Sequence, residues 1–188
     1  AGEGTRLLPL TLATPKPMLP IAGRPMLEYT IAWLRYYDIT EIAINLHHCA
    51  ELVMEHFGDG SNFDVKITYS LEDRLLGTAG GVKKMAHLFD SPFVVVYGDV
   101  LTDLDLEAFS EYHRKICPNE AHLSMILYKV NNPWECGVAS VDEVGRVNRF
   151  VEKPAKQDIS SAMVNSGVFM LDKELLQFIP KGRFYDFG

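Results

Sequence analysis

The 188-residue chain is short of positive charge: 18 lysines and arginines stand against 25 aspartates and glutamates, a formal net charge of -7. That deficit argues against a surface that coats nucleic acid and against one that sits on an anionic membrane. An anionic substrate must be met by local positive charge, together with a divalent cation. Cysteine is scarce too. Cys49, Cys117 and Cys136 are scattered and odd in number, unlike a disulfide framework, and a reducing cytoplasm fits them best. No apolar run approaches membrane-spanning length, no secretory signal is visible, and there is no repeat, low-complexity run or convincing linker. What remains is an ordinary globular balance, 47% hydrophobic and 23% charged, enough for one domain with a real core.

The opening stretch, Ala1-Gly2-Glu3-Gly4-Thr5-Arg6-Leu7-Leu8-Pro9-Leu10-Thr11, is the most informative part of the chain. Gly2 and Gly4 let a backbone pass close to a bulky anion, and their N–H groups can turn inward as a phosphate cradle. Arg6 adds a planar cation suited to phosphate oxygens. Lys16 adds a second, held between Pro15 and Pro17, which stiffen the backbone around it. Two familiar phosphate loops are excluded: no Gly-Lys-Ser/Thr closes the stretch, and the third glycine of a dinucleotide fingerprint is missing.

Downstream, apolar periodicity predicts helices over 26–38, 50–57, 78–88, 106–116 and 173–178. Strands are expected over 41–46, 65–69, 93–97, 122–128, 138–141, 147–151 and 164–171. Alternation of strand and helix implies right-handed crossovers and a largely parallel, Rossmann-like sheet with helices on both faces. The run Phe93-Val94-Val95-Val96-Tyr97 reads as a strand buried on both faces. A hairpin turning at Asp142–Gly145 interrupts the rhythm in the second half and could cover the substrate. Ligands in such sheets bind beyond the carboxyl ends of the strands. Asp99, just past the 93–97 run, is therefore placed to hold Mg²⁺, although a turn or helix-capping aspartate explains Gly98-Asp99 as well. Asp103 reads as a helix cap. His47, His48, Cys49 and His56 lack the spacing of structural zinc and are set aside.

The string from Gly2 through Pro20, with Gly-x-Gly-Thr-Arg-Leu, Pro-Leu-Thr and Pro-Lys-Pro-Met-Leu-Pro, resembles the signature of the sugar nucleotidyltransferases, the NDP-sugar pyrophosphorylases, closest to the mannose-1-phosphate and manno-heptose-1-phosphate guanylyltransferase-like members. The resemblance covers nearly all of the chain and implies the nucleotide-diphospho-sugar transferase fold, α/β with a β-hairpin insertion. It further implies that residues 1–188 are a single nucleotidyltransferase domain lacking its first strand, expected upstream of Ala1, and its C-terminal part with a second metal carboxylate. Arg6 and Lys16 occupy the places of the residues that bind nucleotide phosphates, and Asp99 that of the metal ligand, giving Arg6, Lys16 and Asp99 as the catalytic set. The nucleotide site extends to Ala1, Gly2, Gly4, Thr5, Gly77 and Thr78.

In that family a side chain five residues before the glycine of the Leu-Gly-Thr segment reads the base; here it is Glu72. Guanine offers two adjacent donors that suit a carboxylate, whereas the flanking carbonyls of uracil or thymine would repel one, so Glu72 favours GTP. The sugar phosphate is assigned by resemblance to Gly137, Glu152, Lys153 and Asn165, with Cys136 standing where the family has tyrosine, a departure that leaves the sugar open. Asp186 matches no metal motif and is not assigned to metal. The expected reaction joins GTP to a mannose- or heptose-type sugar-1-phosphate with Mg²⁺, releasing pyrophosphate. Uridylyl or thymidylyl transfer to glucose-1-phosphate or a related sugar phosphate is one alternative, and a regulatory paralogue that binds nucleotide sugar without turnover is another. Neither nucleic acid nor membrane is an expected partner, and a homo-oligomer is left open.

Overall fold

The computed structural model describes residues 4, 7–90, 92–116, 118 and 120–187. Two short antiparallel strands, β1 (Pro20–Ile21) and β2 (Arg24–Pro25), lead into α1 (Met26–Tyr36). Leu27, Thr30, Ile31 and Leu34 recur at helical spacing on α1 and are buried. β3 (Glu41–Leu46) follows, then α2 (Ala50–Phe57), which stops at Gly58 with φ +55, a backbone that a side chain rarely adopts. β4 (Lys66–Leu71) pairs with β3 in parallel. α3 (Gly77–Lys84), β5 (Phe93–Val96) and α4 (Leu106–Ile116) complete the first half. The Asp105 carboxylate accepts the Ala108 N–H at 3.0 Å, so Asp105 rather than Asp103 caps α4.

The second half contains β6 (Leu123–Lys129), the hairpin β7 (Gly137–Val141) and β8 (Val147–Glu152), and β9 (Met163–Leu171). β9 pairs antiparallel with β5, β6 and β7. Among the described residues the parallel pair β3–β4 is therefore separate from a five-stranded antiparallel sheet in the order β5-β9-β7-β8, with β6 also on β9. The largely parallel sheet expected from sequence is not what these strands form. Apolar alternation places a strand in a sheet but carries no information about the direction of its neighbour. Residues 173–178 form a 3-10 turn rather than an α-helix.

Both faces of β5 are covered, in alternation. Val94 and Val96 pack with Leu34, Leu106, Phe109, Val168 and Met170, whereas Phe93 and Val95 pack with Ala79, Val82, Leu176 and Ile179. A third cluster joins α1, α2, β3 and β4 through Ile31, Val53, Phe57 and Ile67. β5 is nonetheless only half-buried along its length. A cavity of about 960 Å³ runs between β3 and β5, whose facing edges have no strand partner among the described residues. No helix among the described residues is long and apolar enough to cross a membrane.

Candidate active site

Of the residues expected to cradle phosphate, Ala1, Gly2, Thr5 and Arg6 lie outside the described residues. Gly4 is held at φ +63, and a Cβ added there would come within 2.9 Å of Thr11 Cγ2. The fully buried Thr11 donates its hydroxyl to the Gly4 carbonyl at 2.9 Å, closing the loop on itself. Lys16 opens a 3-10 turn, Lys16–Met18, and stands between Pro15 and Pro17, whose fixed φ stiffens the backbone that carries it. Pro17 sits against Gly98, where an added Cβ would approach the Pro17 ring to 3.3 Å. The loop is thereby seated on the carboxyl end of β5.

That seating brings Lys16 to Asp99, and the two half-buried side chains form an ion pair across 83 residues of chain. Asp99 offers hard carboxylate oxygens at a strand end. Among the described residues no group of three ligating side chains includes it. One carboxylate suits a cation that takes most of its ligands from phosphate oxygens and water, as Mg²⁺ does, and would not make an all-protein cage. The residues present fit such an ion.

Tyr97, two residues before Asp99, is a site residue that sequence reasoning missed. Its phenol lies near both Thr78 and Asn165, between the segment expected to take nucleotide and the segment expected to take sugar. Burial pushes its pKa up, the Thr78 and Asn165 side chains oppose this, and the nearby Asp186 and Glu152 carboxylates add to the rise. Its position at the end of the β5 run was the available signal. A Tyr97→Phe variant should lose about tenfold in kcat/KM with Tm nearly unchanged. Steady-state kinetics beside a thermal melt would check it, and an unchanged kcat/KM would remove Tyr97 from the site.

Glu72 is turned inward. It is 5% exposed, and its two oxygens accept from Asn45 Nδ2 and from the Leu76 N–H, each at 3.0 Å. Gly81 makes room for this network, since a Cβ there would lie 2.8 Å from Glu72 Oε1. The carboxylate expected to meet guanine thus has both oxygens engaged, and what it visibly does is fix β3 to the approach of α3. On that geometry Glu72→Ala lowers stability by about 3 kcal/mol, through the lost charged hydrogen bonds and the buried donors left behind. Glu72→Gln keeps the order of preference among nucleotides. Denaturant melts and a nucleotide panel test the two claims, and a switch of base in Glu72→Gln would return the reading role to this side chain.

At the start of α3, Gly77 has φ +75, and Thr78 donates both its N–H and its hydroxyl to Asp186 Oδ1, at 2.7 and 3.0 Å. Tyr185 and Gly80 are also bonded to this turn, Tyr185 N to Leu76 O at 2.8 Å and Gly80 N to Tyr185 O at 2.9 Å. Asp186, unassigned from sequence, therefore lies beside the expected nucleotide contacts. A carboxylate is favoured at the N-terminal end of a helix.

On the sugar side, Gly137 pairs with Glu152 across the β7–β8 hairpin. A Cβ at Gly137 would meet Phe150 Cζ at 2.5 Å and Glu152 Oε2 at 2.8 Å. Glu152 and Lys153 stay exposed, with their charged ends 3.7 Å apart. Lys153 has φ +46, and its N–H is tied to the Cys136 carbonyl at 3.0 Å. Asn165 Oδ1 accepts the Gly167 N–H at 2.8 Å. Elsewhere, His47 and His48 contact backbone carbonyls of Glu72 and Thr11, and His56 meets Glu28.

A cation-bearing loop seated on Asp99 at a strand end, with a β-hairpin on the sugar side, is the arrangement of a nucleotide-sugar transferase fold. The chain belongs to the nucleotidyl transferase family, whose model matches residues 1–187. It is 37% identical over 204 residues to the UTP–glucose-1-phosphate uridylyltransferase of Synechocystis sp., covering 100% of this chain and 51% of that protein. It is 34% identical over 183 residues to the mannose-1-phosphate guanylyltransferase of Mycobacterium tuberculosis, covering 97% and 50%. Among solved structures, HddC from Yersinia pseudotuberculosis complexed with GMP-PN superposes with a TM-score of 0.76 at 25% identity, covering 92% of this chain and 73% of that one. The chain spans about half the length of the curated relatives it matches.

Proposed function

We propose that this protein is a sugar-1-phosphate nucleotidyltransferase: a phosphate oxygen of the sugar phosphate attacks the α-phosphorus of a nucleoside triphosphate in line, and pyrophosphate leaves. The observation that carries the reading is the Lys16–Asp99 pair at the end of β5, beside a tyrosine that stands between Thr78 and Asn165. The substrate phosphate is already a nucleophile, so no covalent intermediate with the protein is needed. Catalysis then consists of positioning and of charge stabilisation. In this reading Lys16 meets the α-phosphate, Arg6 the departing β and γ phosphates, and Lys153 seats the incoming phosphate. Gly77 and Thr78 hold the nucleotide, while Gly137, Glu152 and Asn165 hold the sugar. Mg²⁺ would be held by Asp99 and substrate phosphates, and it supplies neutralisation of the charge that separates as the pyrophosphate leaves.

For the substrates we take GTP with a mannose- or heptose-type sugar phosphate. Support comes from the guanylyltransferase relative and from the fold neighbour solved with GMP-PN. The second reading, UTP with glucose-1-phosphate, is favoured by the 37% identical uridylyltransferase and by the inward turn of Glu72. Pyrophosphate release by the full-length protein, with GTP, UTP, dTTP, ATP and CTP each paired with mannose-, glucose- and heptose-1-phosphate, separates them. Release with GTP supports the first, and release with UTP replaces it with the second. Nucleotide-sugar binding without release under any pairing would make the protein a non-catalytic sensor.

The organisation of the chain belongs to the same proposal. Residues 1–188 act as one nucleotidyltransferase domain in which the groove between β3 and β5 takes a further parallel strand, leading into the phosphate loop. The loop residues Pro15 and Pro17 line this groove together with Gly98, which is where such a strand would deliver the chain.

A further inference from the structure

At the opposite end of β9 from Asn165, His113, His122 and Asp172 converge. Seven residues of strand separate the two ends, roughly 20 Å of chain. The cluster therefore lies apart from the groups around Asp99. His113 is in the last turn of α4, His122 immediately precedes β6, and Asp172 immediately follows β9. The pairing of Leu123 with Leu171 sets the latter two side by side. Backbone bonds hold them there: the Asp172 N–H donates to the His122 carbonyl at 3.1 Å, and the His122 N–H donates to Asp172 Oδ2 at 2.8 Å.

Each imidazole turns one nitrogen toward the carboxylate; the other nitrogen of His113 meets a hydroxyl, and both nitrogens of His122 also meet backbone carbonyls. His113 Nδ1 lies 2.8 Å from Ser124 Oγ, and His122 Nε2 lies 2.7 Å from the His113 carbonyl, which can only accept. The Ser124 hydroxyl can donate or accept, which lets His113 present a lone pair at Nε2, and a carbonyl like the one on His122 Nε2 is the kind of partner that stands behind metal-bound histidines. His113 is 1% exposed, and its Nε2 is buried without a hydrogen-bond partner, aimed at Asp172 Oδ1 from 3.5 Å. That distance is too long for a good hydrogen bond. His122 Nδ1 stands 3.1 Å from Asp172 Oδ2 and 2.9 Å from the Glu120 carbonyl. The ligating atoms of the three residues all lie within 4.8 Å of one another, so a modest closing of the cluster brings them to the roughly 3.3 Å edge of a tetrahedron with 2.0–2.1 Å metal–ligand bonds. Two imidazoles and a carboxylate suit zinc-class ions and do not suit Mg²⁺.

We propose that His113, His122 and Asp172 bind one divalent transition-metal ion of the zinc class, which ties the last turn of α4 to the adjoining ends of β6 and β9. The site is structural and independent of the reaction at Asp99. The His113 and His122 rings are stacked with centroids 3.9 Å apart, so binding swings them apart enough to bring both nitrogens onto the ion.

The test uses full-length protein stripped with chelator and titrated with Co²⁺, followed by competition with Zn²⁺. The expected result is one equivalent of ion giving the intense visible bands of low-coordinate cobalt, displaced by Zn²⁺, with Tm raised by Zn²⁺. Asp172→Asn, which keeps the shape, and His122→Asn should each weaken binding by at least about 100-fold, whereas His48→Asn and Asp99→Asn should retain the bands. Absence of the bands, or their survival in Asp172→Asn, overturns the site. Nitrogen NMR of the histidines that shows His122 doubly protonated, and unchanged by Zn²⁺, would do the same, since the cluster would then be an imidazolium–carboxylate pair. None of these readouts depends on turnover.

Discussion

Lys16→Ala and Asp99→Ala should each reduce turnover by about a hundredfold or more while leaving the fold in place. Both side chains are half-buried at the carboxyl end of β5, where their mutual ion pair contributes little to stability once solvent screening is allowed for. Their effect falls on the reaction. A phosphoryl oxygen carrying negative charge must approach a phosphorus surrounded by negative oxygens, and charge separates further as pyrophosphate leaves. A fixed ammonium and a carboxylate-held cation lower that barrier without reorganising, because loop and strand already hold them. Removing Asp99 also leaves Lys16 without its partner, so the ammonium is less well placed even for binding. The losses in the double variant should therefore be less than additive. Single-turnover rates with circular dichroism and melts on the same samples make the measurement. Near-wild-type rates in either single variant would remove the proposed mechanism.

A second large effect is expected from the groove between β3 and β5. A protein carrying about six β-branched apolar residues immediately before Ala1 should melt roughly 5–10 °C above one truncated at Ala1, corresponding to about 2–3 kcal/mol for a chain of this size. That strand would hydrogen-bond to the edges of β3 and β5 that have no strand partner among the described residues, and cover apolar side chains that line the cavity of about 960 Å³. An extension of the same length with proline at alternate positions cannot pair and should give no rise. Hydrogen exchange gives the direct readout, with amides of both β3 and β5 slowed by the first extension alone. Unchanged exchange in both strands would sink the idea that this groove is a strand site.

Much of this was legible in the residues because short-range physics governs it. The helices at 50–57 and 106–116 follow from apolar spacing with a glycine stop or an acidic start, both local signals. The pairing of Lys16 with Asp99 was expected as two roles at one site, since strand ends and phosphate loops converge in sheets of this kind. The half-burial of β5 was not legible. Its apolar run reads as fully covered, and only the position of its neighbours shows that one edge has no strand partner among the described residues.

The sequence by itself determined the family, the order of the elements and the residue types available for phosphate, metal and sugar, because these depend on composition and spacing along one dimension. Tertiary structure decided where the charged and polar groups spend their hydrogen bonds. Glu72 has Asn45 and Leu76 on its two oxygens, and Asp186 meets Thr78 across 108 residues, contacts that no spacing along the chain announces. Tyr97 and the His113–His122–Asp172 cluster likewise depend on contacts between distant strands. A side chain's chemistry is written in its type, but whether that chemistry faces a substrate or the protein interior is set by neighbours brought together only when the chain folds.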